Sequence, residues 1–151
     1  MKLINNELID QTLIKAASSD RKRTNSNLHD SPNDSIQRYL IATTRDSYFR
    51  PHRHPLCAET AIVLRGVFDI VVFDDQGRIT ERHTLSPHNG SMGFEMEANV
   101  WHCWLPRSDE GCFFEVKPGP YDPATAAEFA PWAPAEGTPE AVAFANGLHN
   151  R

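Results

Sequence analysis

The sequence predicts a mainly β fold, a barrel or sandwich, with one helix before it and short helices after it. From residue 36 onward, short stretches rich in β-branched and aromatic residues are separated by turn signals such as Asp75-Gln76-Gly77. Regularly spaced short strands are typical of barrels and sandwiches. A helical apolar pattern precedes these strands, and a proline- and alanine-rich stretch follows them.

The length, charge and cysteine content exclude several classes of protein. A chain of 151 residues suits one domain, and a net charge of −5 argues against a general binder of nucleic acid or membranes. The three cysteines contain no CxxC pair, which suits a reducing compartment. Because the sequence shows neither a signal peptide nor a membrane-spanning stretch, we expect a cytoplasmic protein.

The first 35 residues are predicted to form a helix followed by a polar loop. Residues 5–17 carry one apolar stripe with helical spacing: Leu8, Ile9, Thr12, Leu13 and Ala16. Asn5 or Asn6 can cap this helix. Residues 20–35 are polar and rich in turn-forming residues, and a long segment of this kind is either loose or functional.

Residues 36–118 are predicted to form the barrel, and residues 119–151 a strap with a short helix. The strands are predicted at approximately 37–44, 47–54, 58–65, 67–74, 78–85, 91–96, 100–105 and 112–117. In the tail, Asp122-Pro123 predicts a short helix near 123–129, and Thr138-Pro139 begins a second one that stops at Asn146-Gly147. The aromatic residues of the tail would pack on the barrel or on a partner subunit.

Four side chains have the spacing of a metal site. His52 and His54 share one face of a strand, and a bend at Pro55-Leu56-Cys57 would bring Glu59 beside them. His102 lies much later, in an apolar strand. Three imidazoles and a carboxylate suit one divalent transition metal such as Zn, Fe, Ni or Mn, and four protein ligands leave positions open for catalysis. Taken singly, each of these residues also fits a strand end, an ion pair or a core position.

These residues form a pattern that resembles the first motif of the cupin superfamily, HxH-x4-E-x6-G, here ending at Gly66. The stretch from Met96 to His102 resembles its second motif. The resemblance implies a single cupin domain, a double-stranded β-helix or jelly-roll barrel, in which the four side chains bind the metal. Asn99 stands where glycine is usual in the second motif, and asparagine tolerates the left-handed conformation that a turn there would need.

Over nearly its whole length the chain is similar to the WbuC family of cupin-fold metalloproteins. The supporting stretches are RKRTNSNLHDSPNDSIQR, FRPHRH, FEVKPGPYDP and EFAPWAPAEG. This resemblance implies a connection with O-antigen polysaccharide biosynthesis, and therefore a sugar or nucleotide sugar as ligand. Because cupins commonly pair, it also implies a homodimer.

Three further residues are candidate catalytic residues. Arg50 could hold an anionic group of a substrate or support Glu59. Tyr48 fits an acid–base role or a half-buried position in the barrel, and Glu115 fits a general base near the metal or a structural partner of Lys117. His29 lies in the polar loop before the barrel, which by resemblance covers the mouth of the pocket.

Three functions are compatible with this pattern, and whether the protein is an enzyme stays open at this point. The first is a metal-dependent isomerase, epimerase or lyase that acts on a sugar. The second is an Fe(II)-dependent oxygenase, and the third is a non-catalytic module that binds or senses a carbohydrate.

Overall fold

The computed structural model describes residues 1–88 and 90–150, which form two helices and ten strands. In chain order these are α1 (Asn6–Ser18), β1 (Arg23–Asn27), β2 (Ile36–Thr44), β3 (His52–Arg53), β4 (Glu59–Arg65), β5 (Phe68–Phe73), β6 (Ile79–Leu85), β7 (Gly93–Met96), β8 (Trp101–Pro106), β9 (Glu110–Pro118), β10 (Glu128–Phe129) and α2 (Pro139–His149). Asn89, in the predicted turn 87–90, and Arg151 lie outside the described residues.

The strands form two five-stranded antiparallel sheets. Their orders are β1-β2-β9-β4-β7 and β10-β3-β8-β5-β6. Alternate residues of β4 point between the sheets, so Ala61 and Val63 are buried while Thr60 and Ile62 are exposed. Trp104 of one sheet stacks on Phe113 of the other, with 3.8 Å between ring centres. The structure therefore confirms the mainly β fold with a helix at each end.

Helix α1 lies on the outer face of the first sheet. The Asn5 side chain caps it by accepting a hydrogen bond of 3.0 Å from the Leu8 amide. Its apolar stripe packs against the sheet in a cluster that includes Ile9, Leu13, Ala16, Leu40, Ala42 and Cys112. The predicted helix is confirmed to within one residue at each end. Neither described helix is long and apolar enough to cross a membrane.

The polar segment 20–35 contains a strand that the sequence did not indicate. Strand β1 pairs with β2 from Arg23↔Thr43 to Asn27↔Tyr39. Its sequence, RTNSN, has no apolar alternation because β1 is an edge strand whose side chains remain largely accessible. The division of the chain at residues 35 and 118 stays a prediction, although a sheet strand lies before the first of these boundaries.

Two further sequence-based predictions were wrong. The strand predicted at 47–54 is reduced to the two residues of β3, because Pro51 has no amide hydrogen and its carbonyl accepts from Ala130 of the tail. No helix forms at 123–129. Asp122 instead caps a single turn through the Ala124 amide, and the chain then pairs with β3 as β10. Pairing with the barrel thus overrides the local helical signal.

The strap, residues 119–137, is fastened to the barrel at several points before α2 begins. Glu136 forms ion pairs with Arg21 and Arg23, at 2.9 and 2.7 Å. Thr138 caps α2 as predicted, but the helix continues through Gly147 to His149. Arg82 and Arg107 donate to the carbonyls of Leu148 and His149, which satisfies the end of the helix and explains why it does not stop earlier.

Gly66 follows β4 in a conformation that only glycine adopts easily. Its φ is +84°, and a Cβ atom there would lie 2.5 Å from the Glu110 carbonyl oxygen and 2.9 Å from the Gly111 Cα. Because Gly66 has no Cβ atom, the chain can reverse direction between β4 and β5 in close contact with the first residues of β9.

Replacing Gly66 and, for comparison, Gly137 separates the cost of a steric clash from the cost of the left-handed backbone conformation. Gly66→Ala should lower the free energy of unfolding by about 3 kcal/mol, because it adds both backbone strain and a clash with main-chain atoms. Gly137→Ala is the matched control, since Gly137 has φ +82° with open space around it, and it should cost only about 1 kcal/mol. Equal costs in urea denaturation would contradict the importance of the contact with β9.

Candidate metal centre

Three histidines converge between the sheets. Strand β3 carries His52, directly opposite His102 of β8, and His54 follows two residues later. One ring nitrogen from each histidine lies within 4.8 Å of the other two. The spacing of alternate strand residues therefore brings His52 and His54 together as the sequence indicated, and sheet pairing adds His102.

A backbone carbonyl fixes the orientation of each ring. The Nδ1–H groups of His52 and His102 donate to the carbonyls of Arg50 and Val100, at 3.0 and 2.9 Å, and that of His54 donates to Ala126. Because a carbonyl only accepts, Nδ1 carries a proton in each ring, and Nε2 keeps its lone pair whenever that ring is neutral. This arrangement is the one that metal-binding histidines usually adopt.

Glu59 completes the cluster from the facing sheet. Its side chain is buried, with one carboxylate oxygen 3.1 Å from His54 Nε2 and the other 2.9 Å from His102 Nε2. Neither contact has the geometry of a hydrogen bond, so all four atoms are buried without a hydrogen-bond partner. Unpaired buried polar atoms are costly, and four neighbouring atoms of these types would suit a divalent cation.

The pKa values of His52 and Glu59 favour the same interpretation. The ring of His52 keeps some accessible surface, yet the crowding of protein atoms around it, and next the neighbouring His102, lower its pKa to about 3. Burial alone would raise the pKa of Glu59, but the contacts with His102 and His54 hold it well below its usual value. The cluster thus offers a neutral imidazole and an ionised carboxylate, which are the forms that bind metals.

The second motif holds the first in place. Asn99 has φ +69°, the left-handed conformation expected from the sequence, and its amide donates to the carbonyl of His54 at 2.8 Å. The strap contributes as well, because the Ala126 carbonyl that orients His54 belongs to the turn capped by Asp122.

A buried ion pair lies next to the cluster. Glu115 points inward, and one of its oxygens is 2.9 Å from Lys117 Nζ. Burial, and next the negative charge of Glu59, raise the pKa of Glu115. Both residues of the pair line a cavity of about 420 Å³, together with Asn25, Asn27, His29 and Tyr39.

Arg50 and Tyr48 are placed differently from Glu115. The Arg50 guanidinium donates to the Ala130 carbonyl at 3.1 Å and lies 5.3 Å from the centre of the Phe129 ring, while its buried Nε has no partner. The Tyr48 hydroxyl donates to the Pro134 carbonyl at 3.1 Å. Burial, and next Cys103, raise the pKa of Tyr48. Tyr48 therefore faces the strap rather than the histidines.

Sequence reasoning missed Lys117 and Tyr39 as residues of the cavity. From the sequence, Lys117 is predicted only as a partner of Glu115, and Tyr39 is not among the candidate residues. The alternation of FEVK and QRY along β9 and β2 was the available signal, since it places Glu115 and Lys117 on one face and Gln37 and Tyr39 opposite them. His29, Asn25 and Asn27 do border this cavity.

Solved structures with this architecture show the cupin fold, a double-stranded β-helix. An uncharacterized conserved protein from Klebsiella pneumoniae subsp. pneumoniae MGH 78578 is 12% identical, with a TM-score of 0.60 over 86% of this chain and 97% of that one. KdgF from Halomonas sp. is 15% identical, with a TM-score of 0.55 over 71% and 86%. The DMSP lyase DddQ from Ruegeria pomeroyi DSS-3 is 17% identical, with a TM-score of 0.54 over 72% and only 51% of its own length.

The chain is thus a cupin by fold, with three histidines that could hold a metal. The family model of a domain of unknown function (DUF6016) matches residues 4–85, and the chain belongs to this family. The match includes His52, His54 and Glu59 but ends before His102. No curated protein matches the chain.

The Glu115–Lys117 pair can be tested through stability. Lys117→Met should lower the free energy of unfolding by about 3–5 kcal/mol, because it leaves Glu115 buried without a counter-charge. The double variant Glu115→Gln/Lys117→Met should recover most of this loss, as measured by urea denaturation. If the double variant is as unstable as the single one, the loss comes from packing and not from the unpaired charge.

Proposed function

We propose that this protein is a metal-binding cupin whose His52, His54, Glu59 and His102 hold one divalent transition metal, Zn, Fe, Ni or Mn. The observation that carries the proposal is the convergence of buried atoms without hydrogen bonds from Glu59, His54 and His102. The carbonyl contacts at all three Nδ1 atoms support it, because they leave each Nε2 free to bind.

The residues around the centre suit binding and reaction of a small molecule. A bound divalent ion would act as a Lewis acid toward an oxygen of the ligand. Glu115 lines the neighbouring cavity, where it would accept or hold a proton of a ligand, and Lys117 pairs with it. The cavity of about 420 Å³ matches a ligand of monosaccharide size and is near the lower end of the usual range for ligand pockets.

In its finer form, the proposal is a cytoplasmic isomerase, epimerase or lyase that acts on a sugar or nucleotide sugar in O-antigen biosynthesis. Its support is the resemblance of FRPHRH and FEVKPGPYDP to the WbuC family, together with the inward orientation of Glu115. Arg50 could hold an anionic group of the substrate, since its Nε is buried without a partner. We also propose a homodimer, supported by exposed apolar side chains such as Ile62 and Phe129.

The functions can be distinguished by elemental analysis of anaerobically purified protein, followed by binding and turnover assays with sugars and nucleotide sugars. Turnover that needs the bound metal would support the enzyme. Iron together with oxygen consumption on addition of a substrate would instead identify an oxygenase. Tight carbohydrate binding without turnover would identify a sensing module, and metal-free protein that cannot be loaded would refute the metal site.

The ligand assignment predicts the effect of single replacements. His54→Ala and His102→Ala should each lose most of the bound metal, because each removes one imidazole from the cluster. Elemental analysis after dialysis measures the loss, and circular dichroism checks that the barrel still folds. The control is His83→Ala, at an exposed histidine paired with Glu81. Full metal occupancy in both cluster variants would place the metal elsewhere.

A further inference from the structure

Lys117 lies beside Glu59 on the inner face of the first sheet. Strands β4 and β9 pair through Thr60↔Val116 and Ala61↔Glu115. One residue further along both strands, the antiparallel register brings Glu59 and Lys117 side by side, with their side chains on the same inward face as Glu115. An ammonium group is thus a cross-strand neighbour of a proposed metal ligand.

The Lys117 ammonium has more donors than protein partners. Its side chain is only 14% exposed, and among the described residues Glu115 is the one carboxylate within ion-pair distance. Its Nζ also lies 5.4 Å from the centre of the Tyr39 ring. An ammonium group has three N–H donors, so donors remain available on the side of the cavity that Lys117 lines.

The charges of the interior favour a particular class of ligand. Glu115 and Lys117 neutralise each other. None of the four candidate metal ligands lines this cavity, and Lys117 is the one lysine or arginine among the described residues that line it. A carboxylate in the cavity would share the Lys117 ammonium with Glu115 through a charge-assisted hydrogen bond, whereas an uncharged ligand would gain nothing from this charge.

We propose that the cavity binds a small molecule with one carboxylate, and that the Lys117 ammonium binds this carboxylate. This inference rests on the proposed metal site and narrows its ligand from sugars in general to molecules that carry one carboxylate. Lys117 acts as the residue that selects for charge, and Glu115 competes with the ligand for it.

Because Glu115 competes with the ligand for Lys117, removing the charge of Glu115 should strengthen binding of the ligand and not weaken it. The zinc-loaded protein is titrated calorimetrically with lactate and with lactamide, its uncharged counterpart. Wild type should bind lactate more tightly than lactamide. Glu115→Gln should strengthen lactate binding, because it frees Lys117 from its carboxylate. Glu115→Gln/Lys117→Met, which leaves no unpaired buried charge, should bind lactate about tenfold more weakly than Glu115→Gln.

Lactamide and an exposed lysine provide the controls. Lactamide affinity should change little among the variants, and Lys15→Met on the exposed side of α1 should leave lactate affinity unchanged. Equal lactate affinity of Glu115→Gln and the double variant, equal affinity of wild type for the two probes, or no lactate binding would overturn the proposal. Zinc content, measured in every sample, reports separately on the metal site, so a protein that keeps zinc but fails these comparisons refutes only the inference about Lys117.

Discussion

The burial of Glu59 between two histidines is the interaction on which the interior of this barrel depends. An ionised carboxylate with little access to water needs compensating positive charge or hydrogen-bond donors, and here neither imidazole is oriented to donate. Their Nδ1–H groups contact the carbonyls of Ala126 and Val100, so each ring, when neutral, turns the lone pair of Nε2 toward Glu59. A cation bound at this position would remove that cost, which is the physical basis of the proposed metal centre.

The strap takes part in the same arrangement. Its Ala126 carbonyl orients His54, its Ala130 amide binds the Pro51 carbonyl, and Phe129 pairs with His52. These contacts replace the strand pairing that the short β3 lacks along its outer edge. Residues of the strap, far along the chain, thus help to position the histidines. A substitution in the strap would therefore affect the candidate centre indirectly, through these hydrogen bonds.

The mainly β fold and the closeness of His52, His54 and Glu59 could be predicted because both follow from simple periodicity. Alternation along a strand places His52 beside His54, and the bend at Pro55 returns the chain toward them with Glu59. Strand β1 could not be predicted in this way, since RTNSN carries neither apolar alternation nor β-branched runs. The helix predicted at 123–129 failed for a different reason, because pairing with β3 outweighs a cap that stabilises only one turn.

The role of Lys117 could not be read from its own neighbourhood in the sequence, where it looks like a simple partner of Glu115. The role proposed for Lys117 depends on the register between β4 and β9, which places Lys117 beside Glu59. Burial acts to lower the pKa of Lys117. The negative charge of Glu115, and next that of Glu59, outweighs this effect and raises the pKa, so the ammonium stays charged. A charged lysine and a metal ligand on adjacent strands create one continuous electrostatic environment. The selectivity proposed for the cavity therefore depends on the sheet register, which fixes the position of Lys117 relative to Glu59.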